Sequence, residues 1–234
     1  GSGMSGGWNA KELAEKGLKV LVLERGGKIE PAKDYADFLN PWDKTNFDQI
    51  PEDEIKQHYP IQHRGVGYAV KQSTKHFWVK DSEHPFETPK NKPYDWLRGQ
   101  HTGGRSLTWG RQSYRLGPQD FEANKEDGHG TDWPIRYDDL APWYDYVETF
   151  AGIAGSQEGL KQLPDGVFQP AFELTCVEKE FKKNLENAFS GRKVIPARVA
   201  HLTKPTDEQM SLGRGPCQAR NHCNKGCSFG AYFS

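Results

Sequence analysis

The stretch Gly1-Ser2-Gly3-Met4-Ser5-Gly6-Gly7, running on to Lys19-Val20-Leu21-Val22-Leu23-Glu24-Arg25, decides the fold class. It reads as a G-x-G-x-x-G turn, a helix over Met4 to Lys16 that stops at Gly17, and a short apolar strand ending on an acid. Gly1 permits the tight turn, Gly3 lets the backbone approach a pyrophosphate, and Gly6 lets the helix pack closely. A helix N-terminus offers N–H groups and a positive dipole end to the phosphates. An acid at the end of the strand accepts hydrogen bonds from an adenosine ribose. The pattern predicts an α/β chain with a Rossmann-like dinucleotide-binding domain, with Gly1, Gly3, Met4, Ser5, Gly6, Glu24 and Arg25 as its candidate binding residues. A strand must feed such a turn and none precedes Gly1, so the sequence is expected to be a fragment whose binding domain is incomplete. The same device serves NAD and FAD, and the residues themselves leave that choice open.

Composition narrows the function classes. Only 35% of the 234 residues are hydrophobic and mean hydropathy is low, as expected of a piece that other segments cover. Formal net charge is −1, from 31 basic and 32 acidic residues. No block of like charge is present, which argues against a nucleic-acid partner or a membrane-surface patch. No apolar run is long enough to span a bilayer.

Beyond the first 27 residues the chain has no internal repeat. From Ile29 to Tyr94 it is rich in Pro, Asp, Lys and aromatics, and is expected to be an extended excursion with a strand near His76-Phe77-Trp78-Val79. A second glycine turn follows in Arg98-Gly-Gln-His-Thr-Gly103-Gly104-Arg105-Ser106-Leu107-Thr108-Trp109. Trp133-Pro-Ile-Arg-Tyr-Asp-Asp-Leu140 opens a helix continuing through Val147 and Phe150. Phe172 to Phe189 reads as another helix, and Lys193 to Val199 as a strand.

Three thiols, Cys217, Cys223 and Cys227, fall in a C-x5-C-x3-C array, leaving Cys176 elsewhere. Soft sulfur ligands at short spacing suit an iron–sulfur centre, which the spacing favours, or zinc. Zinc ordinarily takes four ligands from paired hooks, and the second hook is missing. His222 is read as an exposed loop histidine. Disulfides among Cys176, Cys217 and Cys227 are the remaining alternative.

Taken together, Gly1-Ser-Gly-Met-Ser-Gly-Gly7, Val20-Leu-Val-Leu-Glu-Arg-Gly26, Gly103-Gly-Arg-Ser-Leu-Thr-Trp109 and Trp133-Pro-Ile-x-Tyr-Asp-Asp-Leu140 resemble the glucose–methanol–choline (GMC) oxidoreductases. The resemblance runs along the whole chain and is nearest to bacterial FAD-dependent sugar dehydrogenases and pyranose oxidases. The cysteine array followed by Gly230-Ala231 is similar to the [3Fe-4S]-binding segment of bacterial FAD-glucose dehydrogenase catalytic subunits.

The resemblance implies FAD as the dinucleotide. Residues 1–116 would form an incomplete FAD-binding domain containing the 29–94 excursion, and 117–234 would begin an α+β substrate domain carrying the cysteine loop 217–227. It implies that Gly103, Gly104, Arg105, Ser106 and Thr108 lie against the flavin, with Arg105 and Ser106 as donors and His101 a lesser candidate. Thr108 stands where pyranose oxidases carry a flavin-linked histidine, so the FAD is expected to be non-covalent. The implied chemistry is oxidation of a sugar or polyol alcohol carbon by hydride transfer to flavin. The catalytic base of such enzymes is a histidine near the C-terminus, and no histidine here matches it, so no catalytic residue is assigned and the isolated fragment is expected to be inactive. A cluster on Cys217, Cys223 and Cys227 would pass electrons to an external cytochrome-type acceptor, with a small partner subunit and a periplasmic location. Ser228 stands where related cluster loops often carry proline, which puts the stiffness of the loop in question. Two other readings are a FAD-dependent sugar oxidase with structural cysteines, and a non-enzymatic module stapled by zinc or disulfides.

Overall fold

The computed structural model describes residues 1–224 and 226–234. Its regular structure is helical: α1 (Met4–Glu15), α2 (Pro31–Asp34), α3 (Glu52–His58), α4 (Pro60–Val66), α5 (Pro118–Asp127), α6 (Tyr137–Ala151), α7 (Cys176–Ala188) and α8 (Asp207–Ser211), with short 3-10 turns between them. Among the described residues, β-structure consists of isolated bridges.

The expected parallel sheet is therefore not formed. Lys19 to Leu23 follows α1 as predicted, and Gly17 ends that helix in the left-handed region at φ 81°, but the run takes no strand assignment. Leu21 and Leu23 are 84% and 76% exposed. A strand exists through its ladder, and no second run pairs with this one among the described residues. What remains is one parallel bridge, Gly27 to His101, supported by the Thr102 amide donating to the Gly27 carbonyl at 2.8 Å. The strand expected at His76–Val79 is instead a 3-10 turn over Lys75–Phe77, with a single ladder-like bond from the Val79 amide to the Arg98 carbonyl. Lys193 to Val199 likewise reduces to bridges from Val199 to Gln112 and Ala154.

The chain divides into two compact units, Gly1–Gly110 with Arg220–Ser228 and Ser234, and Arg111–Ala219 with Phe229–Phe233. In the first, the core is built from Tyr35, Ile50, Val66, Ala69, Val70, Phe77, Trp78 and Leu107. Most of these belong to the segment expected to be an extended excursion. Its aromatics and β-branched residues are spaced irregularly because short helices and turns, rather than one periodic element, bury them. Asp81 secures this region: it accepts from the Ile61 amide at 2.9 Å and the Gln62 side chain at 2.9 Å, and Gln62 is fully buried.

In the second unit, helix boundaries follow capping chemistry. α7 starts at Cys176 rather than Phe172 because the Thr175 hydroxyl accepts from the Glu178 amide while the Glu178 carboxylate accepts from the Thr175 amide, a reciprocal box that fixes the first turn. α6 starts at Tyr137 with the Asp139 carboxylate accepting from the Arg136 amide at 2.8 Å. It ends at Gly152, where φ is 72°, and the Arg214 guanidinium donates to the Phe150 and Ala151 carbonyls. Phe121, Ile153, Ala154, Leu202 and Tyr232 are buried here.

A buried ion pair ties α6 to its surroundings. Arg115 donates to both carboxylate oxygens of Glu148, from Nε at 2.9 Å and Nη2 at 2.6 Å, and Glu148 also accepts from the Val167 amide at 2.8 Å. A Cβ at Gly166 would fall 2.1 Å from Glu148 Oε2, so the loop there passes hard against the carboxylate. Arg115 also donates to Asp145 at 2.5 Å and to the Tyr137 hydroxyl at 3.1 Å, so its charge keeps a partner when Glu148 is removed. The Glu148→Ala protein is expected to lose about 1–3 kcal/mol of stability, because the Val167 amide and one face of Arg115 lose their buried acceptor, measured by denaturant unfolding, whereas replacing the exposed Glu173 by Ala leaves the midpoint nearly unchanged.

Candidate functional site

The fingerprint folds into a turn that meets the second glycine turn. Gly3 caps α1 in extended backbone with no side-chain cap, and the first turn of the helix carries no acid. Nothing on α1 itself competes with an anion at its N-terminus. Gly103 and Gly104 take left-handed φ values of 83° and 53°, which residues with a Cβ rarely adopt, and lead into a 3-10 turn over Gly104–Leu107. A Cβ on Gly3 would lie 3.7 Å from the Gly103 carbonyl, and one on Gly104 would lie 3.4 Å from Gly3 Cα. The two turns are in backbone contact, and the left-handed φ at Gly103 and Gly104 is what calls for glycine in the second.

Ser2 joins them. Its hydroxyl accepts from the Gly103 amide at 2.9 Å and donates to Glu24 Oε2 at 2.6 Å. Its own amide donates to the same oxygen at 2.6 Å, and Glu24 Oε1 accepts from the Gly26 amide at 2.7 Å. The Ser2 hydroxyl first, then the Gly26 and Ser2 amides, lower the Glu24 carboxyl to about 2. Glu24 is exposed and ionised, oriented as an acceptor beside the turn. Ser2 occupies an unspecified position of the fingerprint and its partners are remote in sequence, so sequence reasoning missed it.

The other expected residues divide into two groups. Gly1, Met4 and Ser5 are exposed at the start of α1, and the Ser5 carbonyl accepts from the Asn9 side chain. Arg25 lies 3.1 Å from His84 Nδ1 through its guanidinium. In the second turn the polar side chains close the turn itself. Arg105 donates to the Leu97 carbonyl at 2.9 Å and stacks over Trp78, Ser106 donates to the Gly103 carbonyl at 2.6 Å, and the Thr108 hydroxyl lies 3.5 Å from the Arg105 carbonyl. His101 is buried at 3% exposure, edge-on to Phe77. A Cβ at Gly26 would fall 2.3 Å from the His101 backbone, so Gly26 is the glycine that lets the segment after Glu24 run against it. Burial pushes the His101 imidazole down, which keeps it neutral at pH 7.

The cysteines are arranged differently from the expectation. Cys217 belongs to the second unit and Cys223 and Cys227 to the first. Among the described residues, no two cysteines are joined in a disulfide and no three His, Cys, Asp or Glu side chains gather to hold a metal ion. His222 is half-buried rather than exposed, with Nδ1 donating to the Asp37 carbonyl at 2.7 Å. Ser228, expected to loosen the loop, donates its amide and hydroxyl to the Asp37 carboxylate at 3.0 and 2.7 Å.

With this geometry in place, the chain was compared with known proteins. No protein-family model matches it. The fructose dehydrogenase large subunit of Gluconobacter japonicus is 25% identical over 240 residues, covering 100% of this chain and 40% of that protein. Paromamine 6'-oxidase of Streptomyces fradiae is 28% identical, covering 99% of this chain and 35% of that protein. The gluconate 2-dehydrogenase flavoprotein of Pantoea cypripedii is 27% identical, covering 69% and 26%. The chain is similar to GMC-type sugar oxidoreductases. It spans about two fifths or less of the length of these GMC relatives, and the two that match along its whole length are named as a dehydrogenase subunit and an oxidase.

The Glu24 network sets a pH dependence. A carboxyl whose folded pKa lies below its unfolded value adds stability that is complete above the unfolded value and is lost as pH falls toward the folded one. The contribution of Glu24 therefore fades from its ordinary 4.5 down to about 2. Acid unfolding of Glu24→Gln is expected to lack that portion of the pH dependence. A titration identical to wild type between those values would show that the carboxylate is not held by Ser2.

Proposed function

We propose that the full protein is an FAD-dependent oxidoreductase acting on a CH–OH group of a sugar or polyol, and that this chain supplies its dinucleotide-binding part. The observation carrying this reading is the contact of the Gly1–Gly6 turn with the Gly103–Gly104 turn, bridged by Ser2 and Glu24. The residues fit the group: an uncapped N-terminus of a 12-residue helix, an ionised acceptor beside it and two glycine turns bare of side chains.

FAD held there would supply the hydride acceptor for oxidation of the alcohol carbon. The chain's own residues bind and orient. The N-terminal amides of α1 offer positive potential to the pyrophosphate. Gly3 and Gly104 leave room for the backbone to approach it, and Glu24 stays ionised to accept from ribose hydroxyls. Arg105 and Ser106 stiffen the second turn from behind, while the backbone they brace faces Gly3. Thr108 offers no imidazole for a covalent link, so FAD is held non-covalently. The base that removes the hydroxyl proton is not assigned to any residue of this chain.

The finer reading, a [3Fe-4S] cluster relaying electrons to a cytochrome-type acceptor with a small partner subunit in the periplasm, is supported by the spacing of Cys217, Cys223 and Cys227 and by the family resemblance. A sugar oxidase with structural cysteines is the second reading, favoured by the relative named as paromamine 6'-oxidase.

Flavin and iron content of the full-length protein, with anaerobic bleaching of its absorbance by a panel of sugars and polyols, tests these readings. One flavin per chain, reduced by at least one sugar, is expected, and absence of flavin would overturn the proposal. Iron present would carry the relay, whereas no iron together with hydrogen peroxide formation would carry the oxidase. At the fingerprint, a Cβ on Gly6 would fall 1.9 Å from the Gly1 carbonyl, and one on Gly7 only 3.7 Å from the Ser2 carbonyl. Gly6→Ala is expected to purify without flavin and Gly7→Ala to retain it, read from the visible spectrum.

A further inference from the structure

Within the first unit, the loop that carries Cys223 and Cys227 converges on Asp37. Asp37 is fully buried at its carboxylate. Oδ2 accepts from Arg220 Nη2 at 2.5 Å and from the Ser228 amide at 3.0 Å, and Oδ1 accepts from the Ser228 hydroxyl at 2.7 Å. Its backbone carbonyl accepts from His222 Nδ1 at 2.7 Å and from Arg220 Nη1 at 3.3 Å. The donors lie at both ends of the loop, Arg220 and His222 before Cys223, Ser228 after Cys227. Burial opposes the negative charge, and the Ser228 amide and hydroxyl together with Arg220 outweigh it, leaving the carboxyl below its ordinary range.

A second contact presses the loop onto the same segment. Gly226 is buried with φ at 94°, and a Cβ there would fall 2.1 Å from the Tyr35 ring. Asn221 also takes a left-handed φ of 57°, a conformation that costs free energy unless surrounding contacts hold it. An unanchored loop would relax away from these values. The Tyr35–Asp37 segment therefore acts as a template on which the loop is shaped.

We propose that Asp37 is the positioning residue of the cysteine loop, and that its carboxylate, without a metal or a disulfide, fixes how Cys223 and Cys227 are presented. This does not rest on the cluster reading: it holds whether the thiols take up iron or remain structural. It also gives Ser228 a role that proline could not fill, because proline has no amide hydrogen to donate and no hydroxyl.

Local opening of the loop controls access to these half-buried thiols. The test is the alkylation rate of each cysteine in the full-length protein with iodoacetamide, resolved by peptide mass spectrometry, with the exposed Cys176 as internal reference. A hydrogen bond to a charged group contributes about 1.5–3 kcal/mol, so Asp37→Asn is expected to raise the rates at Cys223 and Cys227 by roughly tenfold or more relative to Cys176. Ser228→Ala should raise them less, and Ser228→Thr, which keeps both donors, should restore wild-type rates. Gly226→Ala should reproduce the effect through Tyr35. Should Asp37→Asn fail to fold, Ser228→Ala against Ser228→Thr decides. Rates at Cys223 and Cys227 that do not move, or that rise only in step with Cys176, would overturn the assignment. Iron content, read on the same samples, reports on the cluster reading separately.

Discussion

Ser2 stands between three partners, the amide of Gly103, the carboxylate of Glu24 and the turn that opens α1, and the first unit's site is organised around that junction. Its hydroxyl donates in one direction and accepts in the other, so a single side chain sets the distance between two glycine turns far apart in sequence. A Cβ added at Gly3 or Gly104 would only just reach the facing turn, and it is the left-handed backbone of Gly103 and Gly104 that requires glycine in the second turn. The ionised Glu24 is a consequence of the same bonds: three donors converge on it, and a proton on either oxygen would face at least one of them.

The helical parts of the fold were legible where short-range chemistry decides them. α1 and its stop at Gly17 follow from the glycine pattern, and α6 from its apolar spacing. The Thr175-x-x-Glu178 box is equally local, and reading it would have placed the start of α7 correctly. The β-structure was not legible in the same way. Lys19–Leu23 has the composition of a buried parallel strand, yet pairing is a non-local property, and no ladder partner for it lies among the described residues. The core of the first unit was hidden for the opposite reason. Tyr35, Ile50, Val70, Phe77 and Trp78 are spread through short turns whose spacing follows neither the 3.6-residue nor the 2-residue period.

The candidate site was half legible. Gly1, Gly3, Gly6 and Glu24 were named from their spacing, Gly103 and Gly104 from the family resemblance, and the two turns are brought together. Ser2 and Asp37 were not named. Each acts through hydrogen bonds to residues distant in the chain, and neither position has a local signature. Arg105 and Ser106, donors to the cofactor in what the resemblance implies, also bond the carbonyls of Leu97 and Gly103, contacts that span turns and have no local signature.

The apolar run after α1 has a practical consequence. Leu21 and Leu23 stand open to water beside Val20 and Val22, with backbone groups that take no ladder partner among the described residues. Such a segment is a template for the addition of any extended chain, including the same segment of another molecule. The stretch that reads most clearly as nucleotide-binding thus also exposes a run of apolar side chains on backbone without a ladder partner among the described residues. Self-association of this chain on its own is therefore expected to involve Leu18–Leu23.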